Sequence, residues 1–377
     1  MNKLLLSSAV AVLALSAAPA FAQDDSTLKL NLGGHFKGYV NYTDQDQDLI
    51  VGETAGANDF DILRQTEVHF GGETTLDNGL TVGAQLEAIA DGGESFDLDE
   101  SYVYMAGTWG RVNFGDEDGA AYLLQVAAPS GDDNIDGIRQ FINPINYGDA
   151  GGLSPFYDGG IDYANDIAGN ADKITYLTPV FSGFQAGVSY TPSLSTDDLD
   201  GNGIVDAITP SRGGNGNSLN DGDSIDNIWE AALRYEGSFN NVGMILGGGY
   251  TWADSDTDQW NAGADFDIGA FGLGAVYTQT SASTEGAGAL LGLTDSDTVV
   301  VGGDYTTGPF KVGVSYLNSD LDDAFEVDRY TAGAIYTYGP GMSFRGSVSY
   351  ADFDTDAVLG GDDADATSVL LGTQINY

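Results

Sequence analysis

The chain holds only two histidines, His35 and His69, and alternation along two neighbouring extended segments sets both on one face together with Glu67. Two imidazoles and a carboxylate are a donor set for a metal centre or an acid–base pair. More often such side chains are polar wall residues or partners in a hydrogen-bond network inside the barrel. A second cluster runs Asp198-Leu199-Asp200-Gly201-Asn202-Gly203-Ile204-Val205-Asp206 and fits D-x-[DN]-x-[DN]-G, the start of a calcium loop. Asp198, Asp200 and Asn202 offer oxygens to a hard cation, Gly203 makes the turn, and Asp206 completes the candidate Ca²⁺ set. Thr209 stands where such loops carry a bidentate acid, and no flanking helices are evident. An Asp-Gly-Asn-Gly turn in an acidic loop is therefore the competing reading. No Gly-x-Ser-x-Gly elbow, His-Glu-x-x-His helix or phosphate-cradling loop is present. No catalytic residue is assigned and no cofactor is required, with Ca²⁺ the candidate ion.

The elements that must position these residues are read from composition and periodicity. Acids number 57 against 12 lysines and arginines, a net charge of −45 that repels nucleic acid and phosphates and attracts cations. There is no cysteine, so neither a disulfide framework nor a thiolate site exists. Residues 1–22 read as a secretory signal: Lys3 gives the positive end, Leu4 to Ala18 the apolar run, and Ala20-Phe21-Ala22 the cleavage site. The mature chain is then expected to span 23–377. No other segment approaches 18 consecutive apolar residues, which excludes helical membrane spans.

One motif repeats along the rest: about ten residues of period-two alternation closed by a turn. In the first, Leu28, Leu30, Leu32, Phe36, Val40 and Tyr42 share one face, and Lys29, Asn31, His35, Lys37 and Tyr39 the other. In the last, Val369, Leu371, Thr373, Ile375 and Tyr377 oppose Ser368, Gln374 and Asn376. Sixteen such segments are expected, with short turns such as Asp77-Asn78-Gly79 and Gly339-Pro340-Gly341 alternating with long acidic loops, among them 43–59, 192–226, 280–296 and 351–366. Aromatic residues gather at the segment ends, as rings at two water interfaces would. The fold class is all-β, a sixteen-stranded antiparallel transmembrane barrel. A soluble acidic sandwich or solenoid fits less well, because it has no use for an apolar face on every strand.

Val68–Leu80, Ser101–Gly119, Lys173–Pro192, Tyr336–Tyr350 and the terminal strand ending in Tyr377 together resemble the Gram-negative general porin family of the alphaproteobacterial type. The resemblance covers essentially the whole mature chain. It implies residence in the outer membrane among lipid and lipopolysaccharide, a homotrimer, and a third external loop, here about 115–172, folded inward as a constriction. It places Asp116, Glu117, Asp118, Asp132, Asp133, Asp136 and Arg139 on that loop. On the facing pore wall, alternation places Lys37, Glu67, His69, Glu87, Tyr102, Arg111, Lys173, Arg234, Arg329 and Arg345. Glu67, Tyr102 and Leu177 fall where enteric members carry bases, which implies a thinned basic cluster and a net negative field. The functional expectation is passive diffusion of small hydrophilic solutes and ions through a water-filled, cation-selective pore. A sugar-specific channel, with Tyr39, Tyr102 and Tyr104 as the start of an aromatic ladder, stays open. So does an adhesin or lipid-active barrel enzyme, although barrel enzymes usually have fewer strands.

Overall fold

A sheet whose every strand has one apolar face and one polar face, set in lipid, hides the unpaired backbone groups of its edges only by closing on itself. The computed structural model describes residues 28–46, 56–90, 97–146, 161–195, 224–253, 257–282, 295–321, 325–355 and 364–377. The expected signal and the 198–206 calcium candidate lie outside these. The strands are β1 (Lys29–Gln45), β2 (Phe60–Thr75), β3 (Thr81–Ile89), β4 (Asp97–Gly107), β5 (Gly110–Asp116), β6 (Asp172–Leu177), β7 (Phe184–Ser195) and β8 (Ser224–Phe239). They continue with β9 (Val242–Ala253), β10 (Thr257–Ile268), β11 (Phe271–Ser281), β12 (Ser296–Thr307), β13 (Phe310–Leu321), β14 (Phe325–Gly339), β15 (Met342–Thr355) and β16 (Ala364–Asn376). A single helical turn, α1 (Ala120–Leu123), follows β5. Each strand pairs antiparallel with its neighbours in sequence, and β1 pairs with β16 to close the barrel, with Val40 opposite Leu371.

The two faces separate as the alternation demands. On β1, Leu30, Leu32, Val40 and Tyr42 are exposed on the outside, whereas Lys37, Tyr39 and Asn41 are buried. Aromatic pairs form two belts. Near the short turns stand Phe184 with Tyr235, Phe271 with Tyr305 and Phe310 with Tyr336; near the long loops stand Tyr190 with Trp229, Trp260 with Tyr277 and Tyr316 with Tyr330.

Two details depart from the periodicity reading. β1, β15 and β16 run further than their apolar stretches, through Gln45, to Thr355 and from Ala364. Backbone pairing continues past the membrane band, where the outward side chains turn polar and the apolar signal ends. The turn between β8 and β9 is Asn240-Asn241, both with positive φ, the backbone hand that matches strand twist in a two-residue hairpin.

Candidate functional site

The segment between β5 and β6 is described over 117–146 and 161–171, and its contacts map its course. From α1 onward it meets a series of wall glycines. Ala120 abuts Gly187 on β7, Ala121 abuts Gly249 on β9, and Val126 abuts Gly263 on β10. The Pro129 carbonyl lies against Gly302 on β12, Ser130 against Gly313 on β13, and Gly131 against Gly333 on β14. A side chain at any of these wall positions would occupy the space the segment fills. This column is the feature that the sequence reading missed. Its trace in the sequence is glycine recurring at inward positions, which by itself does not say what lies against them.

Beyond Gly131 the contacts become ionic. Arg329 on β14 donates from Nε to Asp136 Oδ1 at 2.7 Å, and from Nη2 to the carbonyls of Ile135 at 3.2 Å and Ile161 at 2.9 Å. Asp136 Oδ2 accepts from Ser315 Oγ at 2.7 Å. Arg329 is 3% exposed and Asp136 1%, so the pair is shielded from water and its loss carries a large penalty. Arg345 on β15 bridges Asp132 at 2.8 Å and also Asp133. Burial raises the Asp132 carboxyl above the usual range despite Arg345 beside it. The Tyr39 hydroxyl on β1 donates to Asp132 Oδ2 at 2.9 Å and accepts from Asn134 at 2.9 Å. Further on, Lys37 stands over the Phe141 ring at 2.9 Å, and the Pro144 carbonyl accepts from Asn41 and Thr43.

Near the root of the segment, Glu117 is buried and accepts from Asn113 Nδ2 at 2.5 Å. Burial pushes its carboxyl up to about 7, with Arg111 and the Asn113 bond pulling the other way. Asp118 is likewise raised by burial to about 7, against the attraction of Arg139. Arg139 pairs within the segment, with Asp118 at 2.9 Å and with Asp166, and lies over the Tyr122 ring. Lys173 donates to the carbonyls of Glu117 and Gly169, and Arg234 Nη1 to the Gln125 carbonyl at 2.9 Å. Asp116 closes β5, in register with Asp172.

A different region of the wall, on β1 to β4, carries the histidines. Register sets His35 opposite Glu67, His69 opposite Glu87, and Glu87 opposite Glu100. His69 Nε2 lies 3.1 Å from Glu67 Oε2 and 3.3 Å from Glu87 Oε2. Arg111 stands over the Tyr104 ring at 4.0 Å, and Tyr104 donates to Glu73. Tyr39 and Tyr102 are buried, so neither presents a free ring to a passing sugar. The predicted acids and bases thus divide in two. Asp132, Asp133 and Asp136 neutralise Arg345 and Arg329 by direct contact, whereas Glu67, Glu87 and Glu100 share their patch with few bases.

A closed barrel of sixteen antiparallel strands, apolar and belted with aromatics outside, charged inside, is a membrane-spanning channel of the outer-membrane kind. The family model described as Gram-negative porin matches residues 9–357, and the chain belongs to that family. Relatives include proteins of Rickettsia conorii, 24% identical over 93% of each chain, and Rickettsia prowazekii, 23% identical over 85% of this chain and 86% of the relative. Among solved structures, an anion-selective porin from Comamonas acidovorans aligns with a TM-score of 0.60 at 18% identity. A mutant of the Rh. blastica porin aligns with 0.57 at 18%. Each alignment covers 93% of this chain and all of the other. As a porin the chain is an outer-membrane diffusion channel, in contact with lipid and small solutes, and not an enzyme.

Proposed function

We propose that this porin is a cation-selective pore for small hydrophilic solutes, narrowed by segment 117–171 folded into its lumen, and that it assembles as a homotrimer exported by cleavage after Ala22. The observation that carries the selectivity is the division of charge. Loop acids in contact with Arg329 and Arg345 leave little field across open water, while Glu67, Glu87 and Glu100 stay grouped on β2 to β4. Grouped carboxylates in a narrow low-dielectric mouth concentrate cations. The inward course of the segment is supported by its successive contacts with β7, β9, β10 and β12 to β15 and with β1. The Comamonas protein, named for anion selectivity, shares the fold alone; the charge of −45 here points the other way. A calcium loop at 198–206, bridging to lipopolysaccharide or a neighbouring protomer, is a separate part of the proposal. Liposome swelling with sugars of graded size tests the diffusion reading. Rates falling smoothly with solute size support it, and saturation by one sugar contradicts it.

A further inference from the structure

We infer that His35, His69 and Glu67, with Glu87 adjoining His69, form a binding site for a divalent transition-metal ion on the inner wall, and that filling it reduces the cation preference of the pore. The second half rests on the channel reading above; the first does not.

The chain's two histidines stand on adjacent strands in the same patch, their ring centroids 6.0 Å apart and nearly perpendicular. One ligand atom from each of His35, Glu67 and His69 falls within 4.8 Å of the others. His35 Nε2 is 3.8 Å from Glu67 Oε1, and His69 Nε2 is 3.1 Å from Glu67 Oε2 and 3.3 Å from Glu87 Oε2. Tetrahedral coordination at roughly 2.0–2.2 Å separates ligand atoms by roughly 3.3–3.6 Å, so the His35, Glu67 and His69 atoms, all within 4.8 Å of one another, need only small side-chain shifts to meet one ion.

The carboxylates are also held as metal ligands usually are. Glu67 Oε1 accepts from Gln65 Nε2 at 2.5 Å and Glu87 Oε1 from Gln85 Nε2 at 2.9 Å, leaving the Oε2 atom of each turned towards His69. Outer partners of this sort fix ligand orientation. The Gln65 carboxamide oxygen contacts His35 Nε2, and an arriving cation exchanges that single contact for its own bond. Side-chain exposures of 14% for His35, 12% for Glu67, 22% for His69 and 15% for Glu87 leave an approach from the pore. Phe141 flanks His35, with ring centroids 6.1 Å apart.

Chemistry selects the ion class. Two imidazole nitrogens with a carboxylate suit Zn²⁺, Cu²⁺ or Ni²⁺ better than Ca²⁺ or Mg²⁺, which take oxygen. Two neutral imidazoles and two carboxylates carry charge −2, which a divalent ion cancels. The filled site therefore removes two negative charges from the acidic patch.

Calorimetric titration of the detergent-solubilised porin with ZnCl₂, and with the His35→Gln/His69→Gln variant, reads the site. We expect one site per chain, weakened more than about 100-fold in the variant, because even outer-partner losses cost 10–100-fold. Cu²⁺ bound to the unaltered protein gives an electron paramagnetic resonance spectrum with two-nitrogen splitting, so the test survives a variant that does not fold. In planar bilayers, Zn²⁺ lowers the cation-to-anion permeability ratio of the unaltered channel and leaves that of the variant. Binding that persists undiminished in the folded variant, or a Cu²⁺ spectrum of oxygen ligands alone, overturns the site. A conducting channel without Zn²⁺ binding overturns this inference and leaves the pore reading intact. Stoichiometric Zn²⁺ binding to a folded barrel that does not conduct does the reverse.

Discussion

Replacing Arg329 with methionine removes a cation that holds Asp136 and two loop carbonyls at once. The pair is nearly dry, at 3% and 1% exposure, so the orphaned Asp136 carboxylate carries most of the penalty. Leaving one member of a buried pair costs about 3–5 kcal/mol. The carbonyls of Ile135 and Ile161 each lose a charged donor, but they regain water if the segment lifts, so their terms do not simply add. A loss of about 4 kcal/mol in docking multiplies the undocked fraction of the segment by about a thousand. The barrel ladder itself does not pass through this pair, since β14 keeps its backbone register with β13 and β15. The expected phenotype is thus local: higher single-channel conductance, greater open-channel current noise, and trypsin cleavage after Arg139, with barrel melting little changed. Asp136→Leu combined with Arg329→Met removes both charges and restores quiet current, because a dry apolar replacement of a buried pair is close to neutral. Conductance, noise and trypsin resistance all unchanged in Arg329→Met would refute the claim that this contact holds the segment in place.

Gly302→Val places a side chain where the Pro129 carbonyl lies, and overpacking of this kind costs about 1–3 kcal/mol, so the segment shifts and conductance changes while the barrel still forms. Glu117 and Asp118, both raised to about 7, give a pH dependence. Above that value both are ionised; as pH falls through it they take up protons, and the measured cation preference declines. The sign for stability is opposite: a raised carboxyl binds protons more tightly folded than unfolded, so stability grows as pH falls from about 7 towards the unfolded carboxyl range near 4. An increase in cation preference on acidification contradicts this sign. For the 198–206 loop, calorimetry with Ca²⁺ is expected to show binding below about 1 mM that Asp198→Ala abolishes, in the range of extracellular oxygen-ligand sites. Binding unaffected by that change rejects the loop.

The barrel was legible because its signal is local and repeated. Alternation on β1 separated Leu30 and Val40 from Lys37 and Tyr39 without any knowledge of partners, and fifteen further strands repeat the same arithmetic. The residues of the site were legible as types and faces; their pairings were not. Arg329 and Asp136 lie 193 residues apart, and nothing in either neighbourhood specifies that they meet instead of Arg345 and Asp136. Arg139 was placed on the loop among its acids, but which of them it pairs with, Asp118 and Asp166, only the fold shows. The glycine column was hidden for the opposite reason. A glycine in a strand reads as a weak point or a bulge, and only the segment lying on Gly302, Gly313 and Gly333 explains why no side chain stands there.

A water-filled pore whose wall favours cations sets the sign of the zero-current potential that the purified protein shows in a planar bilayer across a KCl gradient. The gradient is best kept near 0.1 M, where the screening length is about 10 Å and wall charges still reach the permeating ion. The account predicts ohmic, stepwise insertion with a potential of the sign set by K⁺ permeation, reduced in Glu67→Gln/Glu87→Gln. A potential of the opposite sign, showing chloride to be the more permeant ion, would contradict it.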